Sequence, residues 1–399
     1  MRISKLNSSR PRSSKWRAPE VYSPIDYGSM VGDVYRVDAY ARALKKVIRP
    51  GHVVVDIGAG TGILSLLAAR AGAGRVYAIE PDDAIAVARE LAAANGYADR
   101  IRFIQDISTR VTLPEAADVV VSDLHGVLPG YQDHLPTIID ARRRFLSTGG
   151  HLIPLRDTLM AAAISAAELH GSHLGVSEIS GFDMRAARKL TVNTWSKTWL
   201  KPDQLLSKPR CWTLLDYSEI DDGAIQGEVR LEFDQSGIAH GFGVWFESTL
   251  VLGVELSNAP GAPKLNYGNA YFPWPEPVEV QAGDVAHVVI QATPVRSDHV
   301  WRWETRILSG GRQNAVSRRY SQSTFFGAPL SPDRLRKCAP DYVPKLTEDG
   351  EIAAAALALM ADDHSLRQVA DFIASRFPSR FCDRKAALDH IGDLARRFT

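Results

Sequence analysis

The stretch VVVDIGAGTGILSLLAARAGAGRVYAIE, residues 53–80, limits the possible fold more than any other part of the chain. Val53, Val54 and Val55 are consecutive β-branched residues, the pattern of a strand buried on both faces of a parallel sheet. Gly58, Gly60 and Gly62 follow at two-residue spacing, and without a Cβ they let the backbone turn sharply and approach a ligand. Residues 63–71 read as a helix with its N-terminus aimed at that ligand. Residues 76–79 read as the next strand, with Glu80 at its C-terminal end. In a doubly wound sheet, that end is the crevice where ligands bind.

The spacing narrows the ligand. A dinucleotide fingerprint places its third glycine one residue later, where this chain has Ile63, and seats a pyrophosphate on the helix N-terminus. Asp56, just before the loop, would repel that pyrophosphate. An acid there suits a cationic or amino-bearing ligand. S-adenosylmethionine fits, with its sulfonium, its α-amino group and a ribose diol for Glu80 to bind. The strand expected at 101–104 leads to Asp106, which could accept a hydrogen bond from the adenine amino group; a loop Asp open to solvent is the plainer alternative. A fourth strand at 119–121 ends at Ser122 and Asp123.

Taken together, these segments resemble the protein arginine methyltransferases. The glycine-loop block is similar to that family's first motif, ADVVVSDLHGVLPGYQDHL to its acceptor-binding loop, and ARRRFLSTGGHLIP to the helix and strand that follow. MVGDVYR, residues 30–36, resembles the family's cofactor-covering helix, and by that match Arg36 would bind the carboxylate of the methyl donor. GFDM at 181–184 and KPDQLL at 201–206 resemble the ends of its dimerisation arm, with room for a helix pair between them. HGFGVWFE at 240–247 resembles a strand of its β-barrel. The resemblance covers roughly residues 20–308. It implies a class I methyltransferase with S-adenosylmethionine as cofactor, working as a homodimer.

The acceptor side departs from the family. There, two glutamates on one loop grip a guanidinium, which is otherwise a poor nucleophile because its lone pairs are delocalised and it stays protonated. On an ungapped match these positions are Asp123 and Gln132, one carboxylate shorter and the other neutral; Asp133 would restore a pair only by a one-residue slip. The barrel loop that carries Thr-His-Trp in the family reads Leu265-Asn266-Tyr267. A neutral acceptor (hydroxyl, carboxyl or amine nitrogen) suits this loop better, with Asp123 orienting it and His125 available to take a proton. Solvated loop positions are the ordinary reading for His125 and His134. An alternative function is a catalytically silent partner that binds cofactor or peptide and scaffolds another enzyme.

Composition excludes several classes. A net charge of +1 gives no overall field to draw nucleic acid or an acidic membrane. Cys211, Cys338 and Cys382 lie far apart, with no spacing that signals zinc or redox chemistry, so no metal is expected from the sequence; their small number fits a cytoplasmic setting. No apolar run is long enough for a membrane span. The acceptor is expected to be a protein, a peptide or a small molecule.

The expected plan is α/β. A basic arm at 1–20 precedes a doubly wound, Rossmann-like donor domain at 21–155. A β-barrel-like domain follows at 156–338, with the dimerisation arm near 183–204, and then a helical unit at 339–399. From residue 157 the pattern changes to alternating strands such as VRLEFD, FGVWFESTLV and HVVIQATPV. Trp245, Trp274, Trp301 and Trp303 read as barrel core or rim, and APGAPKLNYGNAYFPWPEP, residues 259–277, reads as a loop. In the tail, ALALM, LRQVADFIASRF and RKAALDHIGDLARRF read as three amphipathic helices, a cap on the barrel. The tail is also faintly similar to the small winged-helix domains that recognise precursor peptides.

Overall fold

The computed structural model describes residues 24–174, 178–310 and 315–398. The expected basic arm at 1–20 lies outside them. The chain divides into two compact units, Met1–Pro329 and Leu330–Thr399.

The first unit opens with helices α1 (Pro24–Val31) and α2 (Val34–Val47). Strands β1 (Val53–Ile57), β2 (Arg75–Ile79), β3 (Ile101–Ile104), β4 (Ala117–Ser122) and β5 (Leu146–Ile153) then alternate with helices α3 (Ile63–Arg70), α4 (Ala84–Ala94) and α5 (His134–Arg144). The strand order is β3-β2-β1-β4-β5, and every pair is parallel. The order reverses between β1 and β4, so the crevice at their C-terminal ends is the switch point. Val54, Val55, Val76, Val119 and Val121 are buried in this sheet, as expected of strands covered on both faces.

The chain then turns antiparallel through β6 (Arg156–Ile164). The helix α6 (Ala167–Leu174), the short pair β7 (Glu178–Ile179) and β8 (Phe182–Asp183), the helix α7 (Arg185–Thr191) and strand β9 (Ser196–Thr198) follow. Strands β10 (Arg210–Asp216), β11 (Ile225–Glu232), β12 (Gly237–Val251), β13 (Val254–Ser257), β14 (Asn269–Val280), β15 (Val285–Val295), β16 (Asp298–Ser309) and β17 (Ala315–Ser323) complete two sheets. One runs β10-β6-β12-β14-β9 with β13 on β12, the other β11-β15-β16-β17. Phe272 of β14 meets Trp303 of β16 edge-on at 5.1 Å and stacks on Phe242 at 4.9 Å, so aromatic rings fill the space between the sheets. All four expected tryptophans are buried core.

Two expectations are corrected here. The second half of the stretch read as a loop, 259–277, is strand β14. Its prolines misled: Pro273 pairs with Gly241 where the register with β12 shifts, and a bulge tolerates a residue without an N–H. The segment between GFDM and KPDQLL holds one α-helix, α7, rather than a pair, followed by edge strand β9 on β14. No residue of α7 is buried.

The first unit ends with α8 (Thr324–Gly327). The second holds α9 (Pro332–Arg336) and the three expected tail helices, α10 (Glu348–Ala361), α11 (Leu366–Arg376) and α12 (Arg384–Phe398). Its apolar cluster is internal: Ile352, Ala356, Val369, Ile373, Ala387 and Ile391 pack together. Ser365 caps α11 with a reciprocal box to Gln368, which fixes where that helix begins.

Candidate active site

The candidate residues gather at the C-terminal ends of β1, β2 and β4. On the donor side, Gly60 has a positive φ of 54°, and a Cβ there would stand 3.2 Å from the Tyr27 ring of α1. Gly62, at φ 82°, packs on α4 so closely that a Cβ would come within 2.8 Å of Ala88. Glycine is needed at both, first for the approach of the covering helix and then for helix packing. Glu80 closes β2, and its carboxylate accepts the Gly60 and Asp82 backbone N–H groups, each at 2.8 Å. The loop and the acid are thus locked in one geometry.

Asp56 is fully buried beneath the loop. It accepts the Ser65 hydroxyl at 2.6 Å, while its Oδ1 has no partner. Burial pushes its carboxyl up to about 7 despite the Ser65 hydrogen bonds, with the Glu80 charge adding to the rise. Burial likewise raises the Glu80 carboxyl. Two buried carboxyls, both raised by burial, suit a ligand that carries positive charge or donates hydrogen bonds. Asp106 is only half-buried; its carboxylate accepts the Ile107 N–H at 2.7 Å.

On the acceptor side, Arg36 of α2 is buried and ion-paired to Asp123, and it also donates to the Met30 carbonyl. Its Nε is buried without a partner. Asp123 accepts the Tyr267 hydroxyl as well. Asp33, the N-cap of α2, accepts the Arg36 N–H at 3.2 Å and the Asn266 N–H at 2.8 Å. The altered barrel loop is therefore tied to both α2 and the end of β4. Tyr40 donates to the Ser122 carbonyl at 3.1 Å and fixes α2 over β4.

Asp123, Arg36 and His125 are brought together; Gln132 and Asp133 have other neighbours. Gln132 has a positive φ of 47°, and its amide donates to the Tyr131 hydroxyl at 3.0 Å. Asp133 is exposed at the start of α5; partial burial raises its carboxyl, offset in part by His299. The reading of His125 and His134 as solvated loop residues is overturned, because both are buried. His125 lies under Asp123, its Nδ1 3.6 Å from Asp123 Oδ1, and stacks on Phe246 at 4.9 Å. Behind it stand Asp157 of β6 and Tyr217, two buried polar residues that no sequence pattern singles out. Asp33 and Tyr40 were also missed, although Asp33 lies within MVGDVYR.

A sheet of this order, a glycine loop with acids on either side and an antiparallel domain closing the acceptor cleft together define a class I methyltransferase fold. Comparison with known proteins agrees. Residues 40–152 match the family model for "Ribosomal protein L11 methyltransferase (PrmA)". The chain is 33% identical over 241 residues to a probable protein arginine N-methyltransferase 6.1 of Oryza sativa subsp. indica, covering 57% of this chain and 62% of the relative. It is 25% identical over 274 residues to protein arginine N-methyltransferase 1 of Dictyostelium discoideum, covering 66% and 80%. Among solved structures, the Trypanosoma brucei PRMT1 enzyme–prozyme complex with AdoHcy superposes with a TM-score of 0.69 at 22% identity, covering 74% of this chain and 96% of that one. Arabidopsis thaliana protein arginine methyltransferase 10 does so at 0.66 and 22%, covering 76% and 98%. The chain spans about three fifths of the length of the first curated relatives it matches, 62% and 61%. The chain is thus protein arginine methyltransferase-like, with the fold of those enzymes.

Proposed function

We propose that this chain is an S-adenosylmethionine-dependent methyltransferase whose acceptor is a neutral nucleophile. The observation that carries the reading is the asymmetry of the site: the donor-side acids and glycines are all present, while the acceptor loop offers one carboxylate, Asp123, already bonded to Arg36 and Tyr267.

The cleft fits the donor on two observations, the partnerless Asp56 Oδ1 and the partnerless Arg36 Nε, both buried. When bound, S-adenosylmethionine supplies a methyl group on a strongly electrophilic sulfonium. Glu80 would hold the ribose hydroxyls, Asp56 the cationic amino end, Arg36 the carboxylate and Asp106 the adenine edge. Gly58, Gly60 and Gly62 let Leu124, the Tyr27 ring and α4 pack closely on the loop that would hold the donor. The residues' main task is positioning, with nucleophile and methyl carbon about 3–3.5 Å apart.

Asp123 would orient the acceptor and take its proton once the acceptor displaces the Tyr267 hydroxyl from Oδ1. His125 is too buried to meet the acceptor, and its Nδ1 makes no hydrogen bond to Asp123. Gln132 cannot supply the second charge of a guanidinium clamp. Losing one member of a buried charge pair commonly costs about 3–5 kcal/mol, so arginine transfer should be very slow. A homodimer built by the 183–204 arm, with its exposed Phe182 and the wholly unburied α7, and a cytoplasmic setting, consistent with three exposed free cysteines, complete the reading. Among the described residues no helix is long and apolar enough to cross a membrane.

Calorimetry with S-adenosylhomocysteine and with NAD, followed by mass spectrometry on arginine–glycine-rich peptides and on small hydroxyl, carboxyl and amine compounds, tests this. Methylarginine formation lost in Asp133→Asn but kept in Gln132→Ala would show a clamp in slipped register and refute the neutral-acceptor reading. A second reading, a silent partner that scaffolds an active enzyme, is favoured by Gln132 and by the enzyme–prozyme pairing of the Trypanosoma relative. Tight S-adenosylhomocysteine binding with no transfer to any acceptor would support it.

A further inference from the structure

Beneath the acceptor loop lies a cluster that the methyl-transfer reading does not use. One ring nitrogen from each of His125 and His134 and one carboxylate oxygen of Asp157 lie within 4.8 Å of one another, and all three side chains are buried. They come from three elements: the loop after β4, the start of α5, and β6 of the antiparallel domain.

Their hydrogen-bonding leaves atoms over. Tyr217 has one hydroxyl proton, and it goes to Asp157 Oδ2. The contact between the Tyr217 oxygen and His134 Nε2, 3.1 Å, must then be donated by the histidine. That fixes the tautomer of a neutral His134 and leaves Nδ1 as a bare lone pair, buried and without a partner. Asp157 Oδ1 is also buried without an aligned hydrogen bond, with the Ser248 hydroxyl beside the carboxylate. His125 Nε2 stands 2.8 Å from Asp157 Oδ2 but is not aligned as a hydrogen bond. A bare imidazole lone pair beside a buried carboxylate is what a cation needs and what a dry protein core avoids.

We propose that His125, His134 and Asp157 form a buried site for a divalent transition metal, with zinc as the chemical class. Two imidazoles and one carboxylate suit zinc, leaving one position of a tetrahedron for a further ligand. Tyr217 stays hydrogen-bonded to His134 and Asp157, orienting both ligands as an outer partner does in metal sites. The metal would balance the buried charge of Asp157 and pin the loop that carries Asp123 to the antiparallel domain. The inference does not depend on methyl transfer.

The test uses the full chain, stripped with chelator and then dialysed against Zn²⁺ or Co²⁺ alone. About one metal per chain by elemental analysis is expected, with visible Co²⁺ bands of four-coordinate intensity and a raised melting temperature. Asp157→Asn and His134→Gln should each lose most of the bound metal. If these variants do not fold, the wild-type Co²⁺ spectrum and its competition by Zn²⁺ decide. Overturning results are wild-type metal content no higher than in folded Asp157→Asn, or nitrogen NMR showing His125 doubly protonated in Zn²⁺-supplemented protein. The second result would make a proton, rather than a metal, the partner of Asp157.

Discussion

Replacing Glu80 by Ala tests the donor cleft most directly, because this carboxylate has two separable tasks. It accepts two backbone N–H groups, from Gly60 and Asp82, and in the proposed function it would hold the ribose diol. Removing it strands the two donors, and each buried donor left unsatisfied costs about 1–3 kcal/mol. A melting temperature lower by several degrees is therefore expected from the loop alone. The lost ligand contact is a charge-assisted hydrogen bond, about 1.5–3 kcal/mol, which weakens S-adenosylhomocysteine roughly 10- to 150-fold. Calorimetry on the folded variant separates the two effects, since stability and affinity are read independently. Glu80→Gln should lie between, because its amide can accept one of the N–H groups and must turn an NH2 toward the other. If Glu80→Ala binds S-adenosylhomocysteine as tightly as the parent chain, the ribose does not sit at β2 and the reading of the glycine loop fails.

Because the Asp56 carboxyl is raised to about 7, the folded chain holds a proton that the unfolded chain has released. Its contribution to stability is present below about pH 4 and is lost as pH rises to about 7; Asp56→Asn should flatten that fall in denaturant titrations, and S-adenosylhomocysteine should bind more tightly as pH rises through 7. Deleting residues 183–204 should turn dimers into monomers with weakened donor binding, and sedimentation that shows the intact chain already monomeric at micromolar concentration refutes the arm. The unit Leu330–Thr399 has its own apolar cluster, so expressed alone it should show a helical spectrum and a cooperative but low melt, as expected for so small a core; a spectrum without helix would show that it folds only with the rest.

The donor half of the site was legible because it is contiguous. Asp56, the three glycines and Glu80 fall within one strand–loop–helix–strand unit, so spacing alone sets their relative positions. The acceptor half depends on contacts between distant segments. Tyr267 reaches Asp123 across 144 residues, and Asn266 reaches Asp33 across 233, distances at which periodicity says nothing. The two histidines were visible as letters, but their burial is decided by Phe246, Tyr217 and Asp157 of the antiparallel domain. Composition misled once, at β14, where prolines placed at a bulge resemble a loop.

The bonds from Tyr267 to Asp123 and from Asn266 to Asp33 have a consequence for modularity. They make the boundary near residue 155 a covalent convenience rather than a physical seam. Cutting there would leave Asp33 and Asp123 without their partners from the far side and open the apolar surface around Phe246 and Leu265. The nucleotide-fold half is therefore a poor candidate for transplantation as a self-standing cassette. Chimaeras that exchange acceptor preference should carry the 261–272 segment together with α2 and the loop after β4, as one inherited block.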